Sequence, residues 1–275
     1  MKGRLKRPGC PDGGAAARTM GAAELVLRGV GFSYDRGLPT EKAVLRSVSL
    51  RVRAGELVSV VGRTGSGKTT LGLIMAGLVR PQSGRVSVEG GTSDPASGQS
   101  FRSEAAGRLD VVMVFQVPES QFFEEDVFSE VAFGPSRLGL RGGELEARVR
   151  SSLERLGLDP ARVSTRSPVR LSEGEKRNVA IASALACEPR FLILDEPTIS
   201  LDWQASARLF SVLRRLADSG VSVVVLTHEV EKAVRHSDSA AVLAAGTLSA
   251  PGRLTAEEVY ESWRDALERP VAPTR

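Results

Sequence analysis

Short runs of apolar residues alternate with helix-like patterns along the chain. Turn residues bound each run, and the runs are Leu57–Val61, Val111–Phe115, Phe191–Leu194, Val221–Leu226 and Ala240–Ala244. Nearly continuous Val, Ile and Leu is typical of strands that are covered on both faces, as in parallel sheets. We therefore predict an α/β protein whose core is a mostly parallel sheet flanked by helices.

Two segments near the N-terminus have a different pattern. Glu24–Arg28 and Val44–Val52 alternate apolar and polar residues. This alternation is typical of half-exposed antiparallel strands. We expect these N-terminal strands to be added to the same body as the parallel sheet.

Helical patterns replace the strand signals between residues 118 and 170. The clearest example is the amphipathic stretch Glu144–Leu158. An amphipathic helix buries one apolar stripe and leaves its other face in water. The pattern predicts a helical subdomain over 118–170, inserted into a core made of 21–117 and 171–250.

A last helix is predicted over 254–268. Thr255 and Glu258 have the spacing of a capping box, which begins a helix. The apolar residues that follow at helical spacing are Val259, Trp263 and Leu267. We expect this stripe to pack on the core.

The charge of the chain is concentrated in its first twenty residues. The whole chain has 37 Lys and Arg against 33 Asp and Glu, a net charge of +4, and residues 21–275 sum to zero. A basic nucleic-acid-binding face therefore has no support, and no nucleic acid is expected as a partner. Residues 1–20 are predicted to be a disordered basic tail; either Met20 is the true start or the tail is an arm that contacts anionic lipid.

Membrane-spanning and secreted classes have no support either. No apolar run approaches the roughly 18–20 residues that cross a bilayer, and 41% of all positions are hydrophobic. The two cysteines, Cys10 and Cys187, are too few for a disulfide framework. We expect a chain that works in a reducing cytoplasm and does not cross a membrane by itself.

A glycine-rich loop follows the first core strand. Residues 62–69 match G-x-x-x-x-G-K-[ST] and lead into a predicted helix over Thr69–Leu78. Such a loop cradles phosphates with backbone N–H groups, while its lysine reaches the β and γ phosphates and its hydroxyl residue binds Mg²⁺. The expected nucleotide-binding residues are Gly62, Arg63, Thr64, Gly65, Ser66, Gly67, Lys68, Thr69 and Thr70.

Two later strands end in candidate catalytic residues. Phe191–Leu194 leads into Asp195 and Glu196, and Val221–Leu226 is followed closely by His228. We expect Asp195 to support Mg²⁺, Glu196 to polarise the attacking water as a general base, and His228 to hydrogen-bond the γ-phosphate. The other histidine, His236, has no such context and is predicted to lie at the surface.

Together these motifs resemble the ATP-binding cassette family over roughly residues 24–246. The distinguishing element is Leu171–Arg177, which is similar to the family's signature loop, although Ser172 and Glu175 also make an ordinary capping box. The resemblance implies a RecA-like P-loop NTPase fold and a dimer in which Ser172 and Gly174 bind ATP held by a second subunit. Glu173 and Glu175 replace the first glycine and the glutamine of the usual LSGGQ.

The resemblance also implies roles for residues outside these motifs. Tyr34 resembles the aromatic residue that stacks on adenine, and Gln116 the glutamine that contacts Mg²⁺ and relays nucleotide state to a membrane partner. Ser200-Leu201-Asp202 resembles the loop that crosses the dimer interface. The implied Mg²⁺ ligands are Thr69, Gln116 and Asp195, and the implied catalytic residues are Lys68, Glu196 and His228.

One segment resembles a particular branch of the family, the energy-coupling factor ATPases of vitamin and transition-metal uptake. It contains Gln116, Pro118, Glu119, Gln121 and Phe123, followed by VAFGP at 131–135. Its phenylalanines, Phe122, Phe123, Phe128 and Phe133, are expected to form partly the helical core and partly a groove for a partner helix.

The resemblance implies a peripheral ATPase on the cytoplasmic face of the membrane, bound to transmembrane subunits and to a second, identical or related, cassette. Two alternatives stay open: the ATPase of another importer of this family, or a cassette ATPase not tied to transport. A phosphate-loop kinase is a further rival, but it would leave Ser172 and His228 without a role.

Overall fold

The structure is a computed structural model that describes residues 23–90, 102–103, 108–117 and 122–268. The predicted basic tail, 1–20, lies outside the described residues. The strands are β1 Glu24–Tyr34, β2 Lys42–Val52, β3 Leu57–Val61, β4 Ser83–Glu89, β5 Arg102–Ser103, β6 Arg108–Leu109, β7 Val111–Val114, β8 Phe191–Asp195, β9 Ser222–Thr227, β10 Ser239–Ala244 and β11 Thr247–Leu248. The α-helices are α1 Lys68–Met75, α2 Val127–Arg137, α3 Gly142–Arg155, α4 Pro160–Val163, α5 Glu173–Ala186, α6 Trp203–Asp218, α7 Val230–His236 and α8 Ala256–Glu268, and a 3₁₀-helix covers Pro168–Arg170.

The core is a six-stranded sheet of order β11-β10-β3-β9-β8-β7. Strands β10, β3, β9, β8 and β7 run parallel, whereas β11 pairs antiparallel with β10. Strands β3, β8 and β9 are buried at every position. The predicted parallel core is confirmed, and the carboxyl ends of its central strands meet at one edge, where ligands bind in such sheets.

Side chains alternate between the two faces of this sheet. In β9, Val223 and Val225 belong to the apolar cluster that includes α5 and α6, whereas Val224 and Leu226 belong to the cluster that includes α1. Helices or strands therefore cover both faces, which is why the core strands are apolar without alternation.

The N-terminal strands form a second sheet, of order β2-β1-β4. Their predicted antiparallel pairing is confirmed, and they join the same body by packing on the main sheet rather than by extending it. Strand β4 was not predicted. Its buried apolar side chains are only Val86 and Val88, which is too weak an alternation to stand out in the sequence.

The segment before the signature loop is helical in its described part. Helices α2 and α3 bury Val131 and Leu153 in the same cluster as Ile181 of α5. Asp126 caps α2 by accepting a hydrogen bond from the Ser129 N–H at 2.8 Å. Helix α3 ends at Arg155, before the predicted Leu158, because the chain turns at Gly157 with φ 75°.

The C-terminal helix begins as its sequence predicts. The Glu258 carboxylate accepts the Thr255 N–H at 2.6 Å, and the Thr255 hydroxyl accepts the Glu258 N–H at 3.2 Å. Val259 is buried, and Trp263 packs on the same cluster; the Leu267 side chain lies outside the described residues. None of the helices in the described part of the chain is both long and apolar enough to span a bilayer.

Candidate active site

The loop between β3 and α1 follows a path that requires glycine. Gly65 and Gly67 have φ 81° and 101°, and a Cβ on Gly67 would lie 2.7 Å from Cγ1 of Val44. Helix α1 begins at Lys68, directly after the loop. The unpaired N–H groups of a helix start and of the preceding loop form an anion-binding cradle.

The Lys68 ammonium lies over this loop. Its Nζ donates to the carbonyl oxygens of Gly62 at 2.8 Å and Arg63 at 3.2 Å, and lies 3.1 Å from Oε1 of Glu196. The side chains of Lys68 and Glu196 are 5% and 9% exposed. Because water is largely excluded, the two charges interact more strongly than a surface pair does.

Asp195 ends β8 beside the start of α1. Its Oδ2 accepts the Thr69 hydroxyl at 2.7 Å, while its buried Oδ1 has no hydrogen-bond partner among the described residues. Burial raises the pKa of the Asp195 carboxyl, and the Thr69 hydrogen bond partly offsets that rise. An unpartnered carboxylate oxygen next to a hydroxyl fits a hard divalent cation such as Mg²⁺.

Glu196 and His228 meet because their strands are neighbours. Asp195 is paired with Leu226 in the β8–β9 register, so the residues that follow each strand lie at one edge. Glu196 has φ 47°, and its Oε2 lies 2.9 Å from Nδ1 of His228 and accepts the His228 N–H at 3.3 Å. The Glu196 carboxylate thus contacts Lys68 through one oxygen and His228 through the other.

Lys68, Thr69, Glu196 and His228 line one cleft of 290 Å³. Tyr34 lies in the same cleft, with its hydroxyl 3.1 Å from Oγ1 of Thr70. Gln116 also lines it, and the backbone carbonyl of Gln116 accepts a hydrogen bond from the Arg177 guanidinium at 2.7 Å. The cleft therefore joins an aromatic ring, the phosphate loop and the Glu196 carboxylate, and Asp195 lies behind it in contact with Thr69.

Sequence reasoning missed several residues of this region. Lys42, Val44 and Ile199 line the cleft, and Thr198 donates a hydrogen bond to Glu229. Thr198 and Glu229 are near neighbours in sequence of Glu196 and His228, which was an available signal. Lys42 and Val44 come from β2, and no motif marks them.

The signature-like loop lies at the start of α5. The Ser172 side chain caps the helix, and Glu175 closes a capping box: its Oε2 accepts the Ser172 N–H at 2.9 Å and the Ser172 hydroxyl at 2.8 Å. Ser172 and Glu173 are exposed. Among the described residues that line the 290 Å³ cleft, none belongs to 172–175.

The loop at 200–202 leads into α6. Ser200 has φ 65°, and Asp202 caps the helix by accepting the Ala205 N–H at 2.7 Å. Because an N-cap aspartate is engaged with its own helix, the backbone of this loop is held in place at the edge that carries Glu196.

The phenylalanines of the aromatic segment separate into two sets. Phe122 and Phe128 pack on the helical core. Phe123 is 61% exposed, and its ring stacks edge to face on Phe133 at 4.6 Å. The carboxylate of the buried Glu130 accepts hydrogen bonds from the backbone N–H groups of Phe123 and Glu124 at 3.1 Å each. Burial raises the pKa of this carboxyl. We call Phe123 and Phe133 the aromatic patch; Pro118, Glu119 and Gln121 lie outside the described residues.

The structure corrects the prediction that His236 lies at the surface. His236 is partly buried rather than a surface residue, and its ring stacks on Phe210 with centroids 5.1 Å apart. Burial lowers the pKa of this histidine. Phe210 comes from α6, so this contact depends on the packing of α6 against α7.

The fold and this cleft define a nucleotide-binding protein of the phosphate-loop class. A sequence model of the ABC transporter family matches residues 45–199. The chain belongs to this family, which confirms the predicted fold class and makes the chain an ATP-binding and ATP-hydrolysing cassette.

The most similar relatives include transporter ATPases. The chain is 41% identical to the energy-coupling factor transporter ATP-binding protein EcfA2 of Symbiobacterium thermophilum, over 81% of this chain and 75% of that protein. It is similar to cbiO1 from Clostridium perfringens, part of the ABC transporter complex cbiONQ, with a TM-score of 0.71 and 26% identity over 86% of this chain and 90% of that one. A dimeric structure of the cassette MJ0796 bound to ADP and Pi matches with a TM-score of 0.71 and 27% identity, over 84% of this chain and 99% of that one.

Proposed function

We propose that this chain is the ATP-hydrolysing subunit of an energy-coupling factor uptake transporter, a system that imports a vitamin or a transition-metal ion. The similarity to EcfA2 and cbiO1 supports this function. The strand-end carboxylates at the phosphate loop and the segment around Gln116 also support this proposal. A cassette ATPase unconnected with transport is not favoured, because those relatives are transporter subunits.

ATP binds in the cleft with its adenine on Tyr34 and its phosphates on the loop 62–70. The Lys68 ammonium, which contacts Glu196 in the structure, turns to the β and γ phosphates. Thr69, Asp195 and Gln116 would hold Mg²⁺, which would neutralise phosphate charge. This exchange of partners frees one carboxylate oxygen of Glu196.

Glu196 then acts as the general base toward the attacking water. His228 keeps contact with Oε2 of Glu196 at 2.9 Å and so orients the carboxylate. Only a histidine with a proton on each ring nitrogen donates to Glu196 from Nδ1 and to the γ-phosphate from Nε2, so this double role uses the imidazolium form of His228. The residue therefore combines positioning of the base with detection of the phosphate.

The single observation that supports a dimeric mechanism is the set of residues that line the cleft. Its described lining includes the phosphate loop, Glu196 and His228 but no residue of the signature loop. A second cassette, identical or related, supplies Ser172, Glu173, Gly174 and Glu175 across the interface, and Ser200-Leu201-Asp202 lies at that contact. ATP holds the two chains together, and hydrolysis loosens them.

The aromatic patch is the docking surface for a helix of the transmembrane subunits. Phe123 is largely exposed although it is apolar, and an Arg137 guanidinium lies 5.1 Å from the Phe133 ring. Exposed aromatic rings with a flanking cation suit an amphipathic partner helix. This docking places the chain at the cytoplasmic face of the membrane as a peripheral subunit.

Gentle detergent extraction of the tagged chain from its own cells tests this function. We expect integral membrane subunits to co-purify with the parent and to be lost from Phe123→Ser. Leu38→Ser, which changes an equally exposed residue (58%) in the β1–β2 loop, is expected to retain them. A parent that captures no integral membrane protein contradicts the transport function; equal capture by Phe123→Ser contradicts only the docking surface.

A further inference from the structure

Two acidic side chains stand at the start of α5, where a partner's γ-phosphate is to be bound. Anions repel phosphate unless their charge is compensated. Glu173 is compensated within its own helix, because its Oε1 lies 2.8 Å from Nζ of Lys176. The compensation of Glu175 comes from elsewhere in the fold.

The cation beside Glu175 is Arg166. Its Nη1 donates to Oε1 of Glu175 at 3.1 Å, while Oε2 of the same carboxylate binds Ser172. Glu175 therefore uses one oxygen for the arginine and the other for the serine. The carboxylate that holds the Ser172 hydroxyl is itself held by Arg166.

The backbone of Arg166 is fixed independently of this ion pair. Its N–H donates to the Val163 carbonyl at 3.0 Å, and its carbonyl accepts the first N–H of α2, from Val127, at 3.0 Å. The guanidinium is thus presented from an anchored backbone. Anchoring removes the backbone part of the entropy cost of forming the pair, whereas the side-chain part remains, so we expect the modest strength of an exposed ion pair.

We propose that Arg166 is a positioning residue of the nucleotide site formed between two chains: it neutralises Glu175 and so weakens the hold of that carboxylate on the Ser172 hydroxyl, which can then donate to the γ-phosphate of ATP on the partner. This inference rests on the proposed function, since it requires that Ser172 act across a dimer. Arg166 touches neither ATP nor the reacting atoms; it acts through Glu175.

A double-mutant cycle in ATPase kinetics tests the proposal, with R166Q, E175Q and the combined variant. In the parent background, R166Q is expected to raise the KM for ATP about twofold to fivefold, the range of an exposed ion pair, with a smaller effect on kcat. In the E175Q background, R166Q is expected to leave KM unchanged, because no carboxylate remains to be neutralised. Titration of dilute single chains with a fluorescent ATP analogue is expected to give the same affinity for all forms.

Arg162 offers a matched control. It is an exposed arginine four residues earlier that lies 3.8 Å from Asp159 instead of Glu175, and R162Q is expected to leave KM unchanged. An equal rise of KM in both Glu175 backgrounds, or none in either, overturns the proposal. Should R166Q not fold, R166M, which keeps the length of the side chain but not its charge, is carried through the same cycle, and an effect independent of Glu175 overturns the proposal there too.

A separate measurement tests the dimeric mechanism of the proposed function. Size-exclusion chromatography of Glu196→Gln with ATP reports whether two chains associate. If they do and the cycle shows no coupling, only the role of Arg166 is wrong. If they do not, and parent turnover per chain is independent of concentration, both the dimeric mechanism and the inference are overturned.

Discussion

In the proposed dimer, the nucleotide site has two halves that differ in burial and in completeness. The phosphate-loop half lies at the carboxyl edge of the parallel sheet, and its ion pair, Lys68 with Glu196, is almost fully shielded from water. The signature half lies at the start of α5, and its ion pair, Arg166 with Glu175, has side chains that are 43% and 32% exposed. The first half is assembled within one chain, and the second is presented outward.

This difference separates binding from turnover. Buried charges interact strongly, so we expect the phosphate-loop half of one chain to be sufficient to bind nucleotide. The exposed residues at α5 have weak, solvent-screened interactions until a partner covers them. Changes in the first half should therefore impair single chains, whereas changes in the second should be evident only where two chains meet.

The largest effect is expected for Glu196→Gln. The amide has the shape of the carboxylate but does not accept a proton, so turnover should fall by about 10²- to 10⁴-fold, the usual contribution of a general base. Steady-state phosphate release measures it, and Glu188→Gln, an exposed glutamate paired with Arg148, is the control. Turnover that falls by less than about tenfold, well short of the usual 10²-fold minimum for a lost base, is incompatible with this role.

A smaller but still large effect is expected for Lys68→Ala in single chains. Removal of one partner from a buried charge pair costs several kcal/mol, so affinity for a fluorescent ATP analogue should fall at least about thirtyfold. Lys42→Ala removes an exposed cation from the same cleft and should weaken binding much less. Equal losses for the two variants would mean that the cleft acts only through its total charge.

The smallest of these effects is expected for Ser172→Ala, which is also the sharpest test of the comparison between the two halves. Loss of one hydrogen bond to a charged phosphate should lower turnover about tenfold or more, while dilute single chains bind the ATP analogue nearly as the parent does. Ser167→Ala is the control, because the Ser167 side chain makes no capping hydrogen bond to the 3₁₀-helix Pro168–Arg170 that follows it. If Ser172→Ala weakens binding to single chains as much as turnover, the two halves do not lie on different chains.

Local patterns predicted much of the fold and of the candidate site. The core strands, the phosphate loop before α1 and the capping box at Ser172 were read from residues close together in sequence. Strand β4 was missed because its alternation is short, and His236 was misplaced because its partner ring, Phe210, belongs to another helix. The ion pair between Glu173 and Lys176 could be predicted from their helical spacing. The pair between Arg166 and Glu175 could not, because Arg166 precedes α5 and the two residues share no helix.

What the sequence by itself determined is the inventory of chemistry: a glycine loop with its lysine, strand-end acids and a histidine, each recognisable from a few consecutive residues. Only the tertiary structure decided which of them touch. Strand order placed β8 beside β9 and so brought Glu196 to His228, and packing left Phe123 exposed while Phe122 was partly buried. The reason is physical, because pairing and exposure depend on contacts between segments far apart in the chain, and local periodicity carries no information about those contacts.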